Sequence, residues 1–480
     1  MFALHGSVRL KRDILEVLEN TSEYLSTKQI TEILGYPSFN SVKQACTELK
    51  QQFEQLYSKE EAQFIIKVSE GVKLVRQNIN SQYLVEELFI NDLSYALLAN
   101  LLVKRTLVTD LFLENNYITR TTLYNRTRML NDVLHHYGLH IALSSRISIK
   151  GEEHHIRMFG YIFLFICHRM IHFLPDIEMT HQLYLEQLTA DIFDYLNIPL
   201  SNNQKQKLAI LTYVTNDSSY THSYMPENRL FQHINSITYP EKPDFLTNWT
   251  VSDWQFYVAF LYVSNLIDAK YNDHLLLKSE LLFEKDIQGW LLLFEKYFFP
   301  LYESEKAATR ILLDKHLIYT KEFPFEEELL DNFKEVNKSM DCHQFPDFIE
   351  RFDFFWQELI KTHGIYKHSE YLRRLSLLTA IQLMDFERMI PELKIYVFSD
   401  ISDLHRNYLQ VRLKNTLTGY ALTFMEDYRE AELIISTVEF LEEINEQQQA
   451  LHVRNNFSLL DMSLVKQAAR KITRAYIRTA

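Results

Sequence analysis

Glycine is scarce in this sequence, with 9 residues in 480, or about 2% against a usual ~7%. Nucleotide-binding loops need several glycines so that backbone amides can approach phosphates, and neither a Walker A run nor a GxGxxG run occurs. The shortage argues against a nucleotide-dependent enzyme, and we expect neither a catalytic residue nor a cofactor. It favours a chain built mainly from helices.

Cysteine is also rare, and the three residues Cys46, Cys167 and Cys342 lie far apart with no CxxC pair. This spacing argues against a disulfide framework or a zinc site and fits a reducing compartment. The start of the chain has no apolar segment of the signal-peptide kind. The longest membrane-like run, Met158–Cys167, is about half of the ~20 residues that a spanning helix needs. We expect a cytoplasmic protein with no bound metal and no membrane contact.

The chain as a whole has no excess of positive charge, but the balance between positive and negative charge changes along the sequence. The formal net charge is −13. Residues 1–157 hold 18 Lys and Arg and 18 Asp and Glu, so the whole negative excess lies in residues 158–480. Only the first third of the chain can therefore approach a polyanion without strong repulsion.

One helical pattern occurs twice in that first third, with the copies 81 residues apart. Apolar or semi-apolar side chains recur at steps of 4, 3, 4 and 3, which indicates one buried stripe of an α-helix. The stripes are Val42, Cys46, Leu49, Phe53 and Leu56 in the first copy and Leu123, Thr127, Leu130, Leu134 and Tyr137 in the second. Thr119 or Thr121 can cap the second helix, and Gly138 suits its end.

Each of these helices follows a short helix and a turn, and precedes an alternating stretch that contains a glycine. The turns are marked by Gly35 and Pro37 in the first copy and by Asn115–Asn116 in the second. The alternating stretches, with Gly71 and Gly151, predict β-hairpins. Helix, turn, helix and hairpin together predict two winged helix-turn-helix units.

The second copy concentrates arginine without any acid in the stretch ITRTTLYNRTRML, off the apolar stripe. In a helix-turn-helix the second helix lies in the major groove of double-stranded DNA, where arginine meets guanine edges and phosphates. The predicted main DNA face is Arg120, Thr121, Thr122, Tyr124, Asn125, Arg126 and Arg128, assisted in the first copy by Ser41, Lys43, Gln44 and Thr47, with Arg146 and Lys150 as wing contacts to phosphates. A solvated face with three arginines is common in other helices, so the tandem repeat carries the interpretation. Because the first copy offers few base-reading side chains, we expect modest sequence specificity with a large share of shape readout.

Two segments of the second copy resemble the helix-turn-helix domain of the Mga/AtxA regulators, which carry phosphotransferase-system (PTS) regulation domains. The segments are ITRTTLYNRTRMLNDVLHHYGLHI and ISIKGEEHHIRMF. The resemblance implies a mainly α multidomain chain: winged units at 1–78 and 79–157, helical PTS-regulation-like domains at 158–285 and 286–391, and a small α/β domain similar to the EIIB sugar-transporter component at 392–480. It also implies an activator of virulence or metabolic genes in a Gram-positive bacterium, dimeric and responsive to carbohydrate status. PTS proteins and RNA polymerase are then candidate partners.

The middle of the chain is a series of long apolar-periodic helices, which fits two bundles. In PTS regulation domains a histidine can accept phosphate, which adds about −1.5 to −2 charges. The resemblance places family histidines at two positions that here hold Gln206 and Ile381. The remaining candidates are His222, His274, His316 and His368, each of which is also read as an ordinary histidine.

The segment from residue 392 alternates strand and helix patterns, which predicts a parallel sheet. The similar transporter domain carries phosphate on a cysteine after its first strand, whereas Ser399–Asp403 holds no cysteine and two acids. We therefore expect a regulatory or dimerisation module without phosphotransfer, with a plain packing domain as an equal alternative.

Three other functions remain open from the sequence. An RNA-binding antiterminator shares the PTS regulation domains but starts with a small all-β domain, whereas residues 1–60 have a helical period. A degenerate phosphotransferase-like enzyme lacks its cysteine. Winged units that bind only other proteins are the third possibility.

Overall fold

The chain is mainly helical with small sheets, as the composition predicted. A computed structural model describes residues 6–77, 79, 82–174, 177–221, 223–226, 237–278, 281–323, 346–367, 369–384, 392–439, 442–445 and 448–479. The chain divides into two compact units, residues 1–280 with 318–333 and residues 281–317 with 334–480. In the described parts of the chain, no helix is both long enough and apolar enough to cross a membrane.

The first winged unit consists of three helices and a hairpin. Its elements are α1 (Gly6–Glu19), α2 (Thr27–Leu34), α3 (Phe39–Leu56), β1 (Ala62–Lys67) and β2 (Gly71–Arg76). The predicted stripe of α3 is buried, apart from the half-buried Leu56. Gly71 has φ +111°, and a Cβ there would lie 2.3 Å from the carbonyl oxygen of Leu25. Glycine is thus required where the wing passes the chain between α1 and α2.

The second winged unit repeats this order with one additional helix, α4 (Gln82–Ile90), at its start and one additional strand, β3 (Thr106–Val108). Its other elements are α5 (Leu93–Lys104), α6 (Thr109–Asn115), α7 (Arg120–Leu134), β4 (His140–Leu143) and β5 (Arg146–Lys150). The predicted hairpin β4–β5 is confirmed, and β3 joins it as a third antiparallel strand in the order β3-β5-β4. Gly151 follows β5 and takes no part in the hairpin turn.

The rest of the first unit is a helical bundle. Its elements are α8 (Glu153–His168), α9 (Met179–Tyr195), α10 (Asn202–Tyr220), β6 (Ile237–Thr238), α11 (Val251–Val263), α12 (Asn272–Leu275) and β7 (Leu277–Lys278). Helix α8 is buried along most of its length and packs on α4, α5 and α10.

Helix α8 runs continuously through the predicted boundary between residues 157 and 158. The boundary predicted between 285 and 286 likewise falls in the first turn of the helix Glu284–Tyr297. A local hydrophobic period does not change where a single helix serves two neighbouring domains, so it gives no signal there. The division into five domains remains a prediction.

The second unit contains a helical part and an α/β part. Its helices are α13 (Glu284–Tyr297), α14 (Glu303–Glu322, of which residues 303–317 belong here), α15 (Pro346–Thr362) and α16 (Glu370–Gln382). They enclose an aromatic core around Trp290, Phe294 and Phe355. The α/β part is β8 (Glu392–Phe398), α17 (Asp403–Thr416), β9 (Ala421–Met425), β10 (Leu433–Ser436), β11 (Gln449–His452) and α18 (Leu459–Thr479). Its four strands pair in parallel in the order β11-β10-β8-β9, which confirms the predicted parallel sheet.

Candidate nucleic-acid interface

Helix α7 is built to expose one polar face and bury the other. Leu123, Leu130 and Leu134 are each 0% exposed, as their spacing predicted. The backbone N–H of Thr122 donates to the side-chain oxygen of Thr119 at 3.1 Å, so Thr119 is the N-cap and Thr121 is left on the outer face. Because the stripe is held by the core, the orientation of the outer face is fixed.

The turn before α7 differs by one residue from the predicted Asn115–Asn116. Asn115 is the last residue of α6, and the left-handed residue is Tyr117, with φ +52°. The N–H of Ile118 donates to the carbonyl oxygen of Leu113 at 3.1 Å. This bond closes the end of α6 and sets the angle at which α7 begins.

The wing is attached to both helices of the motif. The Asn131 side chain on α7 accepts a hydrogen bond from the Ile141 N–H at 2.6 Å and donates to the Ile141 carbonyl at 3.0 Å. The Thr109 hydroxyl on α6 donates to the carbonyl oxygen of Ser144, in the wing turn, at 2.9 Å. Sequence reasoning missed Asn131, because an amide beside an apolar stripe gives no sign of which strand it will meet.

The predicted DNA face of the second unit is accessible to a ligand. The exposed residues are Arg120, Thr121, Thr122, Tyr124, Asn125, Arg128, Arg146 and Lys150, and Arg126 is half-buried. Whether they touch DNA remains a prediction. What the fold establishes is that five cations lie on α7 and on the wing that Asn131 holds against it.

One acid that the sequence reasoning overlooked lies beside this face. Asp110, in the first turn of α6, pairs with Arg120 at 3.1 Å. The two side chains are 78% and 65% exposed, and such surface pairs contribute only about 0–1 kcal/mol. The pair with Asp110 therefore holds Arg120 only weakly.

The face of the first winged unit is less basic, as predicted. Ser41, Lys43, Gln44 and Thr47 are all exposed. Gln44 donates to Glu48 at 2.9 Å, and Lys11 also pairs with Glu48, at 2.8 Å. These two hydrogen bonds lower the pKa of Glu48, and the one from Lys11 has the larger effect.

The position equivalent to Arg120, 81 residues earlier, holds Phe39, which is 50% exposed. A carboxylate within the face and an aromatic ring at its start make this copy a weaker polyanion site.

A buried ionic network joins the second winged unit to the bundle behind it. Arg157 and Asp253 are both 0% exposed and lie 2.7 Å apart. Arg157 also pairs with Glu153 at 2.9 Å, and Glu153 pairs with Arg105 at 2.6 Å. The carbonyl oxygen of Arg105 accepts a hydrogen bond from Ile149 of β5 at 3.2 Å. The network thus runs from the start of α11 to the backbone of the wing.

The candidate phosphate acceptors are not equivalent. His222 and His368 lie outside the described residues. His316 is 5% exposed, and its burial lowers its pKa to about 3, so a phosphotransferase cannot reach it in this conformation. His274 is exposed, with Nδ1 2.8 Å from the carbonyl oxygen of Leu196.

The two positions without a family histidine have other roles. Gln206 Oε1 lies 3.0 Å from His172 Nδ1, and Ile381 is partly buried against the aromatic core of the second unit.

In the α/β part, the loop after β8 is occupied by its own hydrogen bonds. Ser399 Oγ lies 2.7 Å from His405 Nδ1, and the Thr437 hydroxyl donates to Asp400 at 2.7 Å. The hydroxyl and one carboxylate of the loop therefore already have protein partners.

Comparison with known proteins bears on the second winged unit. The model of one family, the Mga helix-turn-helix domain, matches residues 77–165. No curated protein matches the chain. The matched segment runs from just before α4 into α8 and contains α7, the wing and most of the buried network. The chain therefore carries a Mga helix-turn-helix domain, and a domain of this kind indicates a DNA-binding transcriptional regulator.

Proposed function

With a Mga helix-turn-helix domain at residues 77–165 as the premise, we propose that this protein binds double-stranded promoter DNA through α7 and activates transcription. The observation that carries the proposal is the exposed, arginine-bearing face of α7 above a fully buried stripe. The expected targets are virulence or metabolic genes of a Gram-positive bacterium, with RNA polymerase as a partner. This reading places the protein in the cytoplasm and assigns it no enzymatic step.

Within this proposal α7 reads bases and the wing grips the backbone. Arginine forms two parallel hydrogen bonds with the edge of guanine, and α7 is the element that enters the major groove. Arg146 and Lys150 are the first and last residues of the hairpin strand β5, where they would neutralise phosphates without reading sequence.

The wing assignment predicts a uniform effect. Arg146→Ala/Lys150→Ala is expected to weaken binding by a similar factor on every duplex, and to make the slope of log K against log salt shallower by about 2, because two phosphate contacts are lost. Fluorescence anisotropy at several salt concentrations measures both quantities. The matched control is Lys285→Ala/Lys361→Ala, which removes two exposed cations outside the winged units. If the wing variant and wild type had the same slope of log K against log salt, the assignment of Arg146 and Lys150 as phosphate contacts would be wrong.

The proposed regulator is a homodimer, and the α/β part supports this. Helix α17 buries Leu409 and Leu413 against its sheet. Four large apolar side chains on this helix or just before it are exposed to solvent. They are Ile401 (55%), Leu404 (80%), Tyr408 (44%) and Val411 (56%). Exposed apolar patches of this kind are typical of protein interfaces. A second copy of the chain covers the patch in our proposal, since a two-fold dimer brings two identical patches together.

Charge placed in that patch should separate the dimer. Leu404→Asp/Val411→Asp is expected to shift the mass measured by light scattering from dimer to monomer, because carboxylates would be buried without partners. Leu183→Asp, at a side chain 58% exposed on α9, is the control and should leave the mass unchanged. A double variant that stays dimeric would remove α17 from the interface.

A response to carbohydrate status through PTS proteins is also part of the proposal. Among the predicted acceptors within the described residues, His274 is the accessible one. Transfer of labelled phosphate from a PTS phosphocarrier, compared between wild type and His274→Ala, tests this. Label that is equal in both, or absent from both, would exclude His274.

The RNA-binding alternative loses its structural basis. An antiterminator of the kind considered begins with a small all-β domain, whereas α1, α2 and α3 occupy most of residues 6–56.

A further inference from the structure

Tyr117 is a large aromatic residue that the fold presents almost entirely to solvent. Its side chain is 97% exposed, and among the described residues no hydrogen bond or ring contact to that side chain is found. It lies in the turn between α6 and α7, two residues before the N-cap Thr119 and three before Arg120. Neither core packing nor an internal hydrogen bond accounts for a phenol ring there.

The backbone at Tyr117 also disfavours such a side chain. Its φ is +52°, in the left-handed region where a Cβ costs roughly 1–2 kcal/mol. Two backbone hydrogen bonds hold the turn. The Tyr117 N–H donates to the carbonyl oxygen of Glu114 at 3.2 Å, and the Ile118 N–H donates to that of Leu113 at 3.1 Å. Glycine or asparagine normally occupies this position of the motif.

The same motif ends α9, and there the chain uses a suitable residue. Asn197 has φ +54°. Its N–H donates to the backbone carbonyl oxygen of Asp194 at 3.0 Å, and the Ile198 N–H donates to that of Phe193 at 2.9 Å. An aromatic ring is therefore not needed to make this turn.

The first winged unit supplies an internal comparison, because Tyr36 lies 81 residues before Tyr117. The Tyr36 hydroxyl donates to Asp13 at 2.6 Å, and the Arg9 guanidinium lies 5.3 Å from its ring centre. The pKa of Tyr36 is raised mainly by its partial burial, and to a lesser extent by its hydrogen bond to Asp13. The tyrosine of the less basic copy is thus engaged within the protein, while that of the arginine-rich copy is presented to solvent.

We propose that Tyr117 is a DNA-backbone contact: its hydroxyl donates to a phosphate oxygen at the edge of the major groove, and its ring packs on the adjoining deoxyribose. This rests on the proposed function, in which α7 enters the groove. The turn that precedes a recognition helix then faces the sugar–phosphate strand bordering the groove, and tyrosine is among the side chains that bind phosphate there. The contact fixes register without reading sequence.

The test uses the full chain and a substitution that the backbone favours. Tyr117→Gly relieves the left-handed strain, so its melting temperature should equal or exceed that of wild type, while its affinity for promoter DNA falls about tenfold, as expected for a hydrogen bond to a charged group. Tyr117→Phe keeps the ring but removes the hydroxyl, so it should show most of the same loss of affinity. Asn197→Gly, in the matching turn of α9, is the control and should bind DNA as wild type does.

Ethylation interference locates the contact. For each bound chain, ethylation of one phosphate should weaken the binding of wild type but not that of Tyr117→Phe. If wild type binds DNA while Tyr117→Gly and Tyr117→Phe bind equally well, the Tyr117 contact is wrong and the proposed function stands. If wild type binds no DNA, both fail together.

Discussion

Replacing Arg120, Arg126 and Arg128 together by alanine is expected to weaken binding to promoter DNA by about 100- to 1,000-fold at moderate salt. Each bidentate contact from arginine to guanine contributes about 1–3 kcal/mol of discrimination. Each phosphate contact adds a salt-dependent contribution to the binding free energy. The cost to stability of removing Arg120 is small, because its pair with Asp110 is largely exposed. The apolar stripe of α7 is untouched, so the fold should persist.

A charge-preserving variant separates the two contributions. Replacing the same three arginines by lysine keeps the positive charge but removes the planar fork that reads guanine. This variant should retain most of the salt slope and lose preference for the promoter over unrelated DNA. Anisotropy titrations against both duplexes measure the two effects, and circular dichroism checks the fold. An alanine variant that binds as tightly as wild type would show that these arginines are only a solvated surface.

Arg157→Met is expected to lower the free energy of unfolding of the first unit by about 3–5 kcal/mol, the usual cost of leaving a buried charge without its partner. Arg157 is 0% exposed and pairs with Asp253, also 0% exposed, at 2.7 Å. Its Nη2 also donates to the carbonyl oxygen of Ser223 at 2.8 Å. Methionine fills similar space but leaves the Asp253 carboxylate in the interior.

Urea denaturation measures this loss, with hydrogen exchange of α8 amides identifying the transition of the first unit. Lys270→Met is the control, because Lys270 lies in the same unit and pairs with Asp268 at 3.4 Å with both side chains over half exposed. The control should leave the free energy of unfolding nearly unchanged. Replacing both partners, as Arg157→Met/Asp253→Leu, should cost less than the sum of the single changes. If Arg157→Met and Lys270→Met lowered the free energy of unfolding equally, the account of the network would be wrong.

The sequence was sufficient for features that depend on residues close together in the chain. The stripe of α7 follows a helical period, and its buried leucines are the ones the period selected. The hairpin β4–β5 and the cap of α7 also involve neighbours within a few residues, although the sequence left the cap open between Thr119 and Thr121. Local chemistry decides such elements, so the exposed face of α7 could be named before the structure was known.

Features that join distant residues could not be predicted in this way. Arg105 meets Glu153 across 48 positions, and nothing in the sequence pairs them. The third strand, β3, has only three residues, too few for a period. The left-handed Tyr117 was missed because a turn signal points to Asn or Gly. Asp110 was missed because it lies outside the helix that carries the arginines.

The most direct test of DNA binding is a salt titration of the full-length wild-type protein on its own upstream duplex. If Arg120, Arg126, Arg128, Arg146 and Lys150 neutralise five phosphates, the slope of log K against log salt should be about −4.5 per chain, since each neutralised phosphate contributes about −0.9. Binding with that slope would establish the second winged unit as a nucleic-acid interface. Absence of binding, or a slope near zero, would contradict it and favour winged units that contact only other proteins.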